Sequence, residues 1–284
     1  MQGKPLSDSK VLIIWGMHRS GTSLLASWLH ACGLNVGSEL LGEAIGNKLG
    51  HYEDMEFLRL HDSILNANGI TCGGLLNTSP LQVSLEMQQE VRELLVRKCK
   101  SAQWGWKDPR TCLFSREYLE LLPHARHLVV YRDYELVVDS LIRRRLKNRA
   151  HRARLKNKSY DLRTALWRRF LMPKVVNRYL AAWVHYNENL LKLADSVTAD
   201  SLVVMNCRDF VSASTHTFSR LQQWGFNLEH QPAKNYVDSS MIASKPSRNF
   251  RFDPILKARA DAVSERLTAL ARASAQREHS SVGL

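Results

Sequence analysis

Long apolar runs are absent from this sequence of 284 residues, although 44% of its residues are hydrophobic. No stretch reaches the roughly 18 consecutive apolar residues that a membrane-spanning helix needs, so we predict that no segment crosses a bilayer. The first ten residues contain no apolar segment, and we therefore expect no secretory signal there. The hydrophobic content is sufficient to fill the core of one large domain or of two small ones.

The cysteine patterns of disulfide scaffolds and zinc sites are also lacking. The five cysteines are odd in number and widely spaced, and no C-x-x-C pair occurs. We predict reduced thiols rather than disulfides or a metal site, and hence a cytoplasmic protein.

A phosphate-binding pattern near the start of the chain lacks the lysine of nucleoside triphosphate enzymes. Residues 11–15 are apolar and largely β-branched, as in a buried strand, and apolar residues at helical spacing then continue until Gly33. Between them, Gly16 and Gly21 have the spacing of a P-loop, in which backbone N–H groups and a helix N-terminus surround a phosphate. The position after the second glycine, where such enzymes have Lys, is Thr22.

The residues of this loop suit a smaller anion than a nucleoside triphosphate. Backbone amides, three hydroxyl groups and one guanidinium are available to it. The alternative is a strand–glycine–helix junction that only supports the fold. The predicted anion-binding residues are Gly16, His18, Arg19, Ser20, Gly21, Thr22 and Ser23.

Two further predicted strands end in a cation, one at Lys107 and the other at Arg132. Open α/β sheets bind ligands at the carboxyl ends of their strands, so both cations are candidates for the site. Ser140 follows Arg132 by eight residues, about two helical turns, so the two side chains predict a second anion site. The alternative is an ion pair between Arg132 and Asp133 or another neighbour, with Ser140 uninvolved.

Predicted strands and helices alternate along the chain. This pattern favours a single α/β domain over residues 1–284, with a P-loop-like three-layer α/β/α architecture and a central parallel sheet. Residues 143–190 are predicted to form a helical excursion from it. A C-terminal helix is predicted over 254–278, because Asp253 suits an N-cap and Pro254 the first helical position.

The positive charge of the chain is concentrated in residues 143–178. This segment contains fourteen Lys or Arg residues and one acid, which accounts for the whole net charge of +13. A solvated helical face is the ordinary interpretation of such a run.

Together these motifs resemble those of the sulfotransferases that use 3′-phosphoadenosine 5′-phosphosulfate (PAPS). Residues 16–23 are similar to that family's 5′-phosphosulfate loop, and Tyr131-Arg132-Asp133 followed by Ser140 is similar to its 3′-phosphate site. Trp106-Lys107-Asp108-Pro109 resembles a motif of the tyrosylprotein and related bacterial branches. The agreement extends from residue 11 to about 145. The soluble small-molecule branch usually has Lys in place of Arg19, which favours the glycan, protein and bacterial branches.

The resemblance implies roles for individual residues. Sulfuryl transfer is similar to phosphoryl transfer, an in-line displacement that a protein assists by positioning the reactants and neutralising charge. Arg19 would stabilise the bridging oxygen of the leaving nucleotide, and Lys107 would assist at the sulfuryl oxygens. Thr22 and Ser23 would hold the 5′-phosphate, and the second anion site would hold the 3′-phosphate. No metal is implied, because fixed cations take its place.

The resemblance also implies a general base for the acceptor hydroxyl, which in much of the family is a Glu or His after the first helix. Here it would be Glu53, with His51, Asp54 and Asp62 as alternatives. Glu53 and Asp54 also suit the first turn of the next helix, where acids stabilise the helix dipole. A capping role is therefore an equal alternative.

For the acceptor, the basic excursion at 143–190 suggests a lid that favours an anionic molecule or one near an anionic membrane. A glycan, glycolipid or lipid-linked saccharide would fit. In relatives a C-terminal basic loop closes over the nucleotide, a role that Lys245 or Arg248 could fill, although a solvated loop is the stronger interpretation.

Two other functions share some of these features. A nucleotide kinase or NTPase has the same glycine spacing but is disfavoured by Thr22. A nucleic-acid-binding protein could use the basic residues 143–178, because such clusters bind phosphate backbones. That function leaves Arg19, Lys107 and Arg132 unexplained, so we expect no nucleic-acid partner.

Overall fold

The computed structural model describes residues 9–42, 50–155, 171–237 and 245–277, without the side chains of 72 and 152–155. Four parallel strands in these residues form one sheet with the order β2-β1-β3-β4. The strands are β1 (Lys10–Trp15), β2 (Gln103–Lys107), β3 (Arg126–Tyr131) and β4 (Leu202–Asn206).

The described helices connect and cover these strands. They are α1 (Thr22–Ala31), α2 (Met55–Ala67), α3 (Leu85–Lys98), α4 (Ser115–Leu121), α5 (Tyr134–Leu155), α6 (Met172–Ser196), α7 (Phe210–Gln223) and α8 (Pro254–Gln276). A short 3-10 turn, Pro109–Leu113, follows β2 directly.

Two hydrophobic cores separate the layers. Alternate residues of β1 point to opposite faces of the sheet, as strand geometry requires. Ile13 belongs to the core beneath α2, α3, α5, α6 and α8, and Ile14 belongs to the core beneath α1 and α7. The predicted three-layer α/β/α fold with a parallel sheet is therefore confirmed.

The strand register brings the predicted site residues to one edge of the sheet. Ile14 of β1 is level with Lys107 of β2, and Tyr131 of β3 is level with Asn206 of β4. The loops after the four strands therefore start side by side at the carboxyl edge of the sheet, the edge where open α/β sheets bind ligands.

The helices after β3 differ in detail from the sequence prediction. Helix α5 runs without a break from Tyr134 into the basic segment, so residues 143–155 continue an existing helix. Pro173 lies in the first turn of α6, where its missing N–H has no intrahelical partner to lose. The predicted helix start at Asp253 is confirmed, since its carboxylate accepts a hydrogen bond from the Leu256 N–H at 2.9 Å. Residues 156–170 of the predicted excursion lie outside the described residues.

Among the described helices, none combines the length and the apolar character that a bilayer span requires. The cysteines with described side chains form no disulfide; they are Cys32, Cys99, Cys112 and Cys207.

Candidate active site

The loop between β1 and α1 has glycine at two positions that no larger residue could occupy. A Cβ atom on Gly16 would collide with the backbone oxygen of Val130 in β3. Gly21 has a φ of 91°, in the left-handed region, and a Cβ there would collide with the Cys207 Sγ. The glycine spacing therefore lets the loop pack tightly between the ends of β3 and β4.

Backbone strain is concentrated at this site. Arg19 (φ 69°) and Tyr52 (φ 52°) are the non-glycine residues in the described chain with a positive φ. Such conformations cost about 1–3 kcal/mol each and persist only where the surroundings enforce them. Arg19 is the predicted catalytic arginine, and Tyr52 directly precedes the predicted base, Glu53.

Arg19 joins the two predicted anion sites. Its Nε donates a hydrogen bond to the Ser140 Oγ at 2.9 Å, and its backbone oxygen accepts from the Arg132 Nη1 at 3.5 Å. Burial, followed by the charges of Arg144, Arg132 and Arg143, lowers the pKa of Arg19 to about 10. The structure thus brings the two predicted sites together, with a concentration of guanidinium groups that an anion would stabilise.

Asp133, the predicted alternative partner of Arg132, has contacts with two other residues. Asp133 forms its ion pair with Arg208 and accepts a hydrogen bond from the Asn206 Nδ2 at 3.1 Å. The backbone oxygen of Arg132 accepts from the Trp183 Nε1 at 2.9 Å, which ties the turn after β3 to α6.

Two buried polar atoms in the loop fit an anionic ligand. The Ser20 Oγ and the His18 Nε2 have no hydrogen-bond partner among the described residues. Burial lowers the pKa of His18 to about 3, with a further contribution from the charge of Arg110, so the ring is neutral at physiological pH. Buried polar atoms are normally paired, so these two are suited to contact a bound group.

At the end of β2, Lys107 pairs with the predicted base. Its Nζ lies 2.8 Å from the Glu53 Oε1 and 3.4 Å from the Ser23 Oγ, and both members of the pair are buried. Burial lowers the pKa of Lys107, and the neighbouring Glu53 carboxylate partly opposes this effect. Lys107 therefore links the phosphate loop to Glu53.

Arg110 also belongs to the site, although the sequence reasoning did not include it. Its guanidinium lies 3.6 Å from the Glu53 Oε2 and 2.9 Å from the Asp62 Oδ1. Burial lowers the pKa of Arg110, but the charges of Asp108 and Asp62 outweigh that effect and raise it. The available signal was its place three residues after Lys107, at the same carboxyl end of β2.

The 3-10 turn that carries Arg110 and directly follows Lys107 is held by a buried polar network. The Asp108 Oδ2 lies 2.8 Å from the His61 Nδ1, and the His61 Nε2 lies 2.7 Å from the Tyr118 hydroxyl. Burial alone would raise the pKa of Asp108, but the charges of His61 and Arg110 hold it well below its usual range. A fully paired network of this kind fixes one conformation of the turn.

The alternatives for the general base have other partners. Asp54, not Glu53, is the N-cap of α2: it accepts from the Glu56 N–H at 2.9 Å and pairs with Lys98 at 2.5 Å. Asp62 is bound to Arg110. His51 lies 3.9 Å from Glu53, and burial, followed by the charge of Lys107, lowers its pKa to about 4.

The last predicted residues, Lys245 and Arg248, belong to a segment that contacts α5 at the residue before Ser140. They flank Ser247, whose hydroxyl donates a 2.6 Å hydrogen bond to Asp139, the residue before Ser140. Separately, a cavity of about 890 Å³ lies along β4 between α7 and α8, and none of the predicted site residues lines it. Within the described ranges, no group of three His, Cys, Asp or Glu side chains is arranged to hold a metal ion.

Comparison with known proteins gives structural matches alone. No protein-family model and no curated protein matches the sequence. The fold is similar to the sulfotransferase domain from the curacin biosynthetic pathway, with a TM-score of 0.50, 14% identity, and coverage of 92% of this chain and 98% of that one. It is also similar to sulfotransferase STF9 from Mycobacterium avium, with a TM-score of 0.52, 14% identity, and coverage of 93% of this chain and 77% of that one. At this identity the likeness concerns the fold.

Proposed function

We propose that this chain, whose fold is that of solved sulfotransferases, transfers the sulfuryl group of PAPS to a hydroxyl group of an acceptor. The observation that carries the proposal is the 2.9 Å hydrogen bond from the Arg19 Nε to the Ser140 Oγ. This hydrogen bond joins a P-loop that lacks the lysine of nucleoside triphosphate enzymes to a second cationic site. A donor with phosphates at both its 5′ and 3′ positions matches two adjacent anion sites.

The residues present fit this donor. The backbone of the loop, with the hydroxyls of Ser20, Thr22 and Ser23, surrounds the 5′-phosphate, and α1 directs its N-terminus toward it. Arg132 and Ser140 hold the 3′-phosphate. PAPS supplies a sulfuryl group whose transfer leaves 3′-phosphoadenosine 5′-phosphate (PAP). The cations of the site take the place that a metal has in phosphoryl transfer.

Transfer requires a proton acceptor and a stabiliser of developing charge. The Glu53 carboxylate accepts the proton of the acceptor hydroxyl as its oxygen bonds to sulfur. The bond between sulfur and the 5′-phosphate oxygen breaks, and Arg19 stabilises the negative charge on that oxygen. Lys107 lies between Glu53 and Ser23, where its ammonium group can contact the sulfuryl oxygens.

The acceptor is a glycan, a glycolipid or a lipid-linked saccharide. This part of the proposal is supported by the basic face that α5 extends from the site, which includes Arg143, Arg144 and Lys147. The charge of Arg144 already lowers the pKa of Arg19, so this face is electrostatically continuous with the site. The same face would favour peripheral association with an anionic membrane from the cytoplasmic side.

Charge reversal tests this acceptor class. Replacing Arg144 and Lys147 with Glu should raise the KM for an anionic saccharide acceptor at low salt, and added salt should reduce the difference from the unmodified protein. An unchanged KM that does not respond to salt would contradict the role of the basic face.

Calorimetry without metal tests the donor site. We expect PAP to bind more tightly than ADP, and Arg132→Ala to weaken PAP about 10- to 100-fold by removing charge-assisted hydrogen bonds to the 3′-phosphate. Arg116→Ala is the matched control, because Arg116 is an exposed arginine on α4 that pairs with Glu120. Equal binding of PAP and ADP, or tighter binding of ATP with Mg²⁺, would refute the proposal.

A further inference from the structure

One buried acid lies within the cationic part of the site. Asp139 precedes Ser140 on α5, and only 2% of its surface is exposed. Its Oδ1 accepts a hydrogen bond from the Ser247 hydroxyl at 2.6 Å, and its Oδ2 accepts one from the Arg143 Nε at 2.9 Å. A carboxylate at this position repels an anionic ligand, so Asp139 does not act by binding the ligand directly. Its role must be exerted through the residues that it contacts.

The first oxygen of Asp139 fixes a remote segment of the chain. Ser247 belongs to residues 245–253, which lead into α8. At the far end of this segment, the Phe252 ring packs edge-to-face on Tyr134 at 5.6 Å, and the Asp253 N–H donates to the Asn177 Oδ1 at 2.9 Å. The Ser247 contact therefore anchors the near end of a segment whose far end is already fixed.

The second oxygen of Asp139 fixes a cation that acts on the site. The charge of Arg143 lowers the pKa of both Arg19 and Arg132, which places its guanidinium within electrostatic reach of the proposed nucleotide contacts. Held by Asp139 across one helical turn, Arg143 keeps a defined direction.

We propose that Asp139 is a positioning residue for the 3′-phosphate of the donor, because it holds Arg143 with one oxygen and the segment 245–253 with the other. The inference rests on the proposed function. Lys245 and Arg248, two residues before and one residue after Ser247, are thereby tied through Asp139 to the turn of α5 that carries Ser140. The net result is a fixed arrangement of cations that outweighs the repulsion from one acid.

The test compares PAP with AMP, which differs from PAP by the 3′-phosphate alone. Ser247→Ala removes the segment's anchor and leaves the contact between Asp139 and Arg143 in place, whereas Asp139→Asn weakens both. We expect each variant to bind PAP about tenfold more weakly, the effect of one hydrogen bond to a charged group, and to bind AMP within about twofold of the unmodified protein. The double variant should resemble Asp139→Asn, because the two residues share one interaction.

Two further measurements separate positioning from general stability. The KM for PAPS should rise with little change in kcat, since the reacting atoms are contacted by other residues. Hydrogen exchange in the ligand-free protein should become faster in residues 245–253 of Ser247→Ala but not in β1 or β3. Ser212→Ala is the control, because its hydroxyl makes a similar contact, to the Asp209 backbone oxygen at 2.9 Å.

Failure of the inference and failure of the proposed function give different results. If the unmodified protein does not prefer PAP to AMP, the proposed function is refuted and the inference with it. If it prefers PAP and both variants keep the same preference, or bind PAP more tightly, the inference alone is overturned. An equal loss of PAP and AMP affinity would also overturn it.

Discussion

The buried pair of Glu53 and Lys107 allows stability to be measured separately from catalysis. The two side chains are joined at 2.8 Å, with Lys107 fully buried and Glu53 5% exposed. Removing one member leaves the other charge buried without its main partner, a change that typically costs about 3–5 kcal/mol. Replacing both members with neutral side chains of similar size is often close to neutral.

The remaining contacts indicate which single change costs more. Without Lys107, the Glu53 carboxylate still has Arg110 at 3.6 Å. Without the Glu53 charge, Lys107 keeps the Ser23 contact at 3.4 Å and the more distant charge of Asp108. We therefore expect Glu53→Gln to lower the free energy of unfolding by about 3 kcal/mol and Lys107→Met by about 2 kcal/mol. The double variant should recover about 3 kcal/mol relative to the sum of the single changes, which leaves it about as stable as Lys107→Met alone.

The Glu53→Gln variant should also acquire a pH dependence with a defined sign. Burial already lowers the pKa of Lys107 in the folded state below its ordinary 10.5, and the opposing effect of Glu53 is lost in this variant. In the pH range between the folded and unfolded values, the unfolded chain binds more protons. The free energy of unfolding should therefore rise as the pH is raised from 7 toward 10.

Urea unfolding followed by the fluorescence of the seven tryptophans gives these free energies. Arg116→Ala, Glu120→Ala and their combination form the control cycle, because this pair has the same 2.8 Å separation but is exposed, so its coupling should be much weaker than that of the buried pair. Single changes that each cost less than about 1 kcal/mol and add in the double variant would refute the reasoning. The folded double variant should still lack the proposed sulfuryl-transfer activity.

Two other predictions concern the scaffold. Burial, followed by the charge of Arg126, lowers the pKa of His127 to about 4, so below about pH 6.5 the unfolded chain binds a proton that the folded chain does not. The free energy of unfolding, measured with urea, should therefore fall by up to ~3 kcal/mol as the pH drops from 6.5 to 4. His127→Gln should remove that part of the pH dependence. Gly21→Ala should lower the melting temperature more than Gly33→Ala. Both glycines have a left-handed φ, but a Cβ at position 21 collides with Cys207, whereas position 33 is open. Equal decreases in melting temperature would contradict the steric argument.

Several features of the fold could be predicted from the sequence because they depend on local patterns. The apolar run before Gly16 and the helical spacing after Gly21 predicted β1 and α1, and the structure confirms both. The carboxyl edge of a parallel sheet is also a general ligand site, so cations at strand ends, such as Lys107 and Arg132, could be selected without coordinates. The choice of Glu53 as general base came from the family resemblance and stays a prediction.

The sequence could not assign the neighbouring acids Glu53 and Asp54, which both suit a helix start. The structure gives the capping role to Asp54, because the helix begins at Met55, the residue directly after it, and turns Glu53 toward Lys107. It also adds Arg110, which had no separate signal beyond its spacing from Lys107.

By itself the sequence determined the strands, the helices, the phosphate loop and the cations at the strand ends, because each depends on residues adjacent or nearly adjacent in the chain. Tertiary structure alone decided which polar side chains meet: Arg19 with Ser140, 121 residues apart, and Asp139 with Ser247, 108 residues apart. These pairs depend on strand order and helix packing, which bring distant segments together through burial of apolar surface. Burial also sets the pKa of His18, since local sequence does not reveal how much water a side chain will lose.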